Sequence, residues 1–171
     1  MKTLKMISKM SLIAVMFLAL SCSSDSDGGG GGTASVGTIT AKVGGSSFTS
    51  MTQGTQVSQI TAGGTTTITM LGADASGKAI SLTLHGVSAT GTYQIGGENL
   101  ISIIGSYVDT NIQNPQASVT YVAPTEGNAV MGSITVSELT DAKIVGTFNF
   151  TGTSDAGATK AITNGAFNLE F

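Results

Sequence analysis

The 171-residue chain has one cysteine, one histidine, two prolines, no tryptophan and no arginine. Each shortage removes a class of function. A lone cysteine, Cys22, cannot form an internal disulfide, so folding must rest on packed apolar surface. Without arginine there is no bidentate grip on phosphate or carboxylate groups. Seven lysines against ten acids leave a net charge of −3 and no basic stripe that could displace counterions from a nucleic acid. One histidine, His85, falls on the polar parity of its segment and has no second histidine or nearby cysteine to build a metal set. It also cannot single out a catalytic serine, because many serines and several acids could be paired with it at will. No tryptophan is available for a flat carbohydrate platform, and only Tyr93, Tyr107 and Tyr121 could supply one. Structural use of these three is the simpler reading, with Tyr93 in Gly91-Thr92-Tyr93 covering one end of the fold and keeping its hydroxyl wet.

Long apolar runs are absent as well. The longest uninterrupted one, Leu12 to Leu20, has nine residues, and a membrane-spanning helix needs about 20. Its context gives it another meaning. Lys2, Lys5 and Lys9 precede it with no acid, and small Ser21 follows, so residues 1–21 have the layout of a secretory signal. Ala19-Leu20-Ser21-Cys22 resembles the bacterial lipobox, with Ala19 where leucine is usual and Leu18 and Leu20 on either side. That resemblance implies cleavage before Cys22 and acylation of Cys22. A single acyl chain binds membranes only reversibly, whereas two or three hold a protein stably.

Residues 22–36 then read as the acylated cysteine and a tether. Ser23, Ser24, Asp25, Ser26 and Asp27, followed by five glycines, contain nothing to bury. From Ser23 to Val36, random-coil statistics give a reach of about 20 Å. The Ser/Asp stretch is similar to the acidic signal that sends some Bacteroidota lipoproteins to the outer face of the outer membrane. Its simpler role is to keep a linker solvated. Loss of the signal would remove three lysines and leave four against ten acids, a net charge of −6.

Residues 37–171 are of single-domain size and show period-two alternation throughout. Ile39, Ala41 and Val43 alternate with polar neighbours, as do Ile68 and Met70, then Ile80, Leu82 and Leu84. The same holds for Val119 and Tyr121, for Ile134 and Val136, for Ile144, Phe148 and Phe150, and for Phe167, Leu169 and Phe171. Each run predicts a half-buried strand, with threonine suited to the wet face. Phe48, Phe148, Phe150, Phe167 and Phe171 fall on apolar parities and are expected in the core. Leu100 to Val108 is apolar on both parities and is expected to be a central strand covered on both faces. Asn164-Gly165 is expected to be a bulge within the last strand, since too few residues separate it from Ala161 for a hairpin partner. Turn signals such as Gly44-Gly45, Gly63-Gly64 and Asp74 to Gly77 recur at short spacing, too short for parallel crossovers. The expected fold is therefore all-β: an antiparallel β-sandwich, the preferred form, or a flattened up-and-down β-barrel, of roughly ten strands.

Two further groups of acids and amides have spacings that bear on chemistry. Glu138 and Asp141 lie close together after Val136 and could do acid–base work, although acids at a hairpin end are ordinarily solvated turn residues. Asp109, Asn111 and Asn114 have loop spacing for calcium, without the glycine and closing glutamate of a calcium hand. No catalytic, cofactor-binding or metal-binding residue is assigned.

Several segments together carry a resemblance. Ile39-Thr40-Ala41-Lys42-Val43-Gly44-Gly45 followed by Phe48, the Gly91-Thr92-Tyr93 step, Ile144 to Phe150 and Ile162 to Phe167 resemble a domain-of-unknown-function family of small Bacteroidota (Flavobacteria-type) lipoproteins. Gly44-Gly45 stands where such proteins often have Asp-Gly, a change that preserves the turn. The resemblance implies an envelope location and an all-β fold, and no activity. The expectation is a non-enzymatic outer-membrane lipoprotein, lipid-anchored and facing outward, with an envelope or extracellular partner and no cofactor. The alternative is a carrier holding a small apolar ligand or lipid inside a barrel.

Overall fold

The computed structural model describes residues 32–99, 102–127 and 129–171. Cys22 and the Ser23, Ser24, Asp25, Ser26 and Asp27 stretch lie outside the described residues, as do Leu100 and Ile101. Eleven strands form: β1 (Thr38–Val43), β2 (Ser46–Thr49), β3 (Thr55–Ala62), β4 (Thr65–Ala73), β5 (Ala79–His85), β6 (Gly91–Gly96), β7 (Ile103–Asp109), β8 (Val119–Ala123), β9 (Val130–Leu139), β10 (Lys143–Thr153) and β11 (Thr159–Glu170). All their ladders are antiparallel. The order is β2-β1-β11-β10-β8-β7-β5-β4-β3. Strand β10 forks: Ile144 to Phe150 pair with β9, which carries β6, while Thr153 pairs with Val122 of β8.

The antiparallel all-β architecture expected from the alternation thus forms as one continuous sheet, curled into a half-barrel. Bulges help the curl, because an extra residue on one strand bends it and increases its twist. The expected bulge at Asn164-Gly165 is one of them. Phe148 faces Gly165 and Phe150 faces Ile162, leaving Thr163 and Asn164 opposite Asn149 alone. Asn164 has φ 51°, a left-handed conformation that asparagine tolerates better than other non-glycine residues.

The curl lays the apolar faces over one another. Ile39, Ile68, Met70, Ile80, Leu82, Leu84, Ile134, Ile144, Ile162 and Phe167 are all at 0% exposure. The alternation therefore placed its apolar positions inward. Rings fill the interior by lying on glycines. A side chain at Gly105 would come within 2.8 Å of Phe150, and one at Gly165 within 2.6 Å of Phe148. The Phe148 ring stacks on Phe150 at 6.3 Å and on Phe167 at 6.4 Å.

Three expectations change. Phe171 lies beyond the end of β11 and is 39% exposed rather than in the core. Strand β7 has β5 and β8 along its edges, but only Ile103, Gly105 and Tyr107 are buried, and Ile104 and Val108 on its outer face are half-covered. That face has no second layer, because the sheet curls toward the other side. Val119 follows a short 3-10 turn at Pro115–Ala117 and is 37% exposed, although Tyr121 two residues on is buried.

Candidate functional site

Most residues singled out from the sequence have local partners. His85 ends β5, and its Nδ1 is 2.8 Å from the Thr67 hydroxyl across the β4–β5 ladder. Glu138 is tied to Lys143 at 3.0 Å, while Asp141 borders an open groove beside Val57 and Phe171, so the two carboxylates do not converge in a cleft. Asn111 Oδ1 accepts the backbone N–H groups of Gln113 and Asn114, which is turn chemistry. Asp74 to Gly77 is likewise a turn: Asp74 Oδ1 accepts the Ser76 and Lys78 N–H groups and the Ser76 hydroxyl. The Tyr93 hydroxyl donates to the Ala89 carbonyl at 2.7 Å. Among the described residues, no cluster of three or more His, Cys, Asp or Glu side chains could hold a metal ion, and no helix is long and apolar enough to cross a membrane.

What the topology does bring together is a polar cluster centred on Asp109, at the end of β7. The Asp74 turn delivers Lys78 beside Asp109, because the next residue, Ala79, pairs with Val108. Lys78 Nζ reaches Asp109 Oδ1 at 3.0 Å, and Lys160 of β11 reaches Oδ2 at 3.6 Å. Lys160 Nζ also sits 5.1 Å above the Tyr121 ring, which stacks on Tyr107 at 6.2 Å. This is a cation–π contact with one half-exposed partner, a contribution of about 0.5–1 kcal/mol.

The cluster separates two open grooves. One, of about 300 Å³, lies against Gly44, Ser46, Phe48 and Tyr107. The other, of about 480 Å³, lies against Asn111, Ile112, Gln113 and Val119. Two placed ammonium groups, a carboxylate and several hydroxyls suit recognition of a polar partner. His85, at the opposite end of β5 from Lys78, is too far away to activate any of these hydroxyls. No pattern in the sequence joins Lys78, Asp109 and Lys160; only the β5–β7 ladder and the β10–β11 hairpin do.

The electrostatics of the cluster yield a testable sign. Partial burial pushes the Asp109 carboxyl upward, but the hydrogen bond and charge of Lys78, together with the charge of Lys160, outweigh it and hold Asp109 below the ordinary carboxylate range. The hydrogen bond from Lys78 to Asp109, helped by the charges around it, raises the Lys78 ammonium above the usual lysine value. Burial, then the Asp109 charge, raises the Tyr107 phenol. A depressed carboxyl contributes stability above its unfolded pKa and loses it as pH falls through the folded value. Asp109→Asn is therefore expected to destabilise the domain by about 1 kcal/mol at neutral pH, a modest figure because the pair is partly exposed and screened. The difference from the parent should vanish in denaturant melts below the folded pKa of Asp109. A difference that persists in acid would mean that packing, not charge, is at work.

A protein-family profile described as Domain of unknown function (DUF6252) matches residues 37–169, from just before β1 to the last residues of β11. No curated protein and no solved structure gives a significant match to the chain.

Proposed function

The chain belongs to the DUF6252 family, and from that premise we propose that it is an outer-membrane lipoprotein, acylated at Cys22, whose β-domain is a non-enzymatic binding or envelope-accessory module on the cell exterior. The carrying observation is the polarity of the domain. The chain arrives at one end of β1, where the Asn168 side chain donates to the Ala34 carbonyl and the Gly37 N–H donates to the Asn168 carbonyl. The Asp109 groove borders Val43 and Gly44 at the other end of β1, about 17 Å away at the usual strand rise. A domain tethered at its N-terminal end would therefore carry the groove at the end far from its attachment. Ser23, Ser24, Asp25, Ser26 and Asp27 would direct it outward, in the manner of Bacteroidota surface lipoproteins.

The packed interior favours this module over a carrier of a small apolar ligand. A carrier needs hollow space, whereas here the rings of Phe148, Phe150 and Phe167 lie directly on glycine backbones. Native mass spectrometry of the purified protein is the direct comparison, since a co-purified lipid would favour the carrier.

The anchor itself has a plain test. Cys22→Ser is expected to abolish incorporation of radiolabelled palmitate and to move the protein from the membrane to the soluble fraction. Retention in the membrane would overturn the lipoprotein reading. Protease shaving of intact cells then tests the outward orientation, and full protection of the domain would refute it.

A further inference from the structure

We infer that the edge of β3 is a self-association surface, at which a second copy of this chain pairs its own β3 antiparallel about a two-fold axis at Ser58. Strand β3 ends the main path of the sheet and, among the described residues, pairs only with β4. The eight residues Thr55 to Ala62 run in unbroken register with Gly72 to Thr65. Edge strands are normally blunted by shortness, a bulge, proline or an inward charge. Strand β2 is only four residues long, and β6 is irregular between Ile95 and Gly96. Strand β3 has none of these devices.

Its free backbone groups can be assigned. Gly63 and Gly64, with φ 60° and 81°, make a two-residue turn of the kind that closes on a hydrogen-bonded pair, here Ala62 and Thr65. Bonding then alternates along the ladder. Ala62, Ile60, Ser58 and Gln56 face β4, and Thr61, Gln59 and Val57 direct their N–H and C=O groups away from the sheet.

The occupant is argued from charge. From Val43 to Ala73, 31 consecutive residues contain no Asp, Glu, Lys, Arg or His. This stretch includes all of β2, β3 and β4. In a chain with a net excess of acids, this is where two copies can meet without repulsion. The groove beside the edge, about 440 Å³, has one charged wall residue, Asp141. An acidic partner is disfavoured there, and a second β3 brings no charge. Exposed Phe171 and half-buried Val57 border the same groove. The incoming strand's Val57 would give both an apolar neighbour.

Face and register select the axis. Opposed residues in an antiparallel pair must share a face, so a two-fold runs through a residue and not between two. With Ser58 on the axis, Val57 and Gln59 bond each other twice over, and Ile60, 65% exposed, lies against the aliphatic stem of Gln56. Such an interface is isologous and closes at two copies.

Sedimentation velocity on the full chain carrying Cys22→Ser is expected to show a species of twice the monomer mass. In that background Ser58→Cys should form an intermolecular disulfide under mild oxidation, because directly opposed non-hydrogen-bonded residues have Cα atoms about 4.5 Å apart, inside the disulfide range. Thr69→Cys, one strand inward, should not. Ser58→Lys, at an exposed position, should reduce the mass to that of a monomer with an unchanged circular-dichroism melt. An equimolar mixture of Ser58→Lys and Ser58→Glu should restore the dimer. A parent protein that stays monomeric at high micromolar concentration would overturn the inference. So would a dimer that is indifferent to Ser58→Lys, or equal cross-linking at Ser58 and Thr69.

Discussion

Gly146→Val is expected to lower the melting temperature by about 10 °C or to prevent folding altogether. Gly146 lies in the middle of the sheet, opposite Val136 on β9 and Phe167 on β11. A Cβ at this position would meet the Thr135 carbonyl oxygen on one side and stand 2.5 Å from the Phe167 ring on the other. Neither can yield easily. The carbonyl belongs to the backbone of the β9–β10 ladder, and the ring is fully buried against Phe148. Overpacking typically costs 1–3 kcal/mol, and about 3 kcal/mol is expected where a main-chain atom and a stacked ring oppose the same methyl. For a domain of this length each kcal/mol moves the melting temperature by about 3–5 °C. The isovolumetric change Thr147→Val, at the half-buried next position of β10, should stay within a few degrees in the same circular-dichroism melt. Equal melts for the two variants would show that Gly146 is not the contact point described.

The contrast between these neighbours reflects what alternation can and cannot convey. A strand with one buried face must place apolar side chains at every second position, and Ile80, Leu82 and Leu84 do so against Ser81 and Thr83. The bulge at Asn164 was equally legible, because too few residues separate Asn164-Gly165 from Ala161 for a hairpin, and the left-handed Asn164 fits it. Strand β3 was not. At an edge, with most of its side chains exposed, Thr-Gln-Val-Ser-Gln-Ile-Thr-Ala is under little pressure to alternate and carries no hydrophobic signature. Glycines hide in a different way. Gly105, Gly146 and Gly165 have no side chain to take part in an alternation, yet the fold uses each as a flat seat for a ring on another strand. The Asp109 cluster was illegible for a topological reason. Lys78 reaches Asp109 through the β5–β7 ladder, and Lys160 reaches it only because β8 and β10 meet at the fork in the sheet and carry β11 to that end. The roles proposed for Cys22 and the acidic stretch after it are the opposite case, since they are argued from the order of residues along the chain and from no fold.

Removing the ring that Gly146 supports is expected to be still more damaging. Phe167 is fully buried, pairs with Ile39 and Gly146 across its two ladders, and stacks on Phe148 at 6.4 Å and 24°. Truncating such a ring to alanine typically costs about 3–5 kcal/mol in transfer energy and residual cavity, part of it in the lost aromatic contact, about 0.5–1.5 kcal/mol. Whole domains are stable by only about 5–15 kcal/mol, so Phe167→Ala should leave a large unfolded fraction at modest denaturant, and the soluble yield should fall. The pair also makes a diagnostic cycle. In the Phe167→Ala background the methyl of Gly146→Ala points into vacated space, so its penalty should shrink. It should not disappear, because the Thr135 carbonyl still opposes it. A coupling of about 1 kcal/mol or more between the two changes is expected from urea melts, within the range seen for residues in contact. Strict additivity would mean that ring and glycine do not touch, and that the half-barrel is closed by other means than aromatic rings resting on bare backbone.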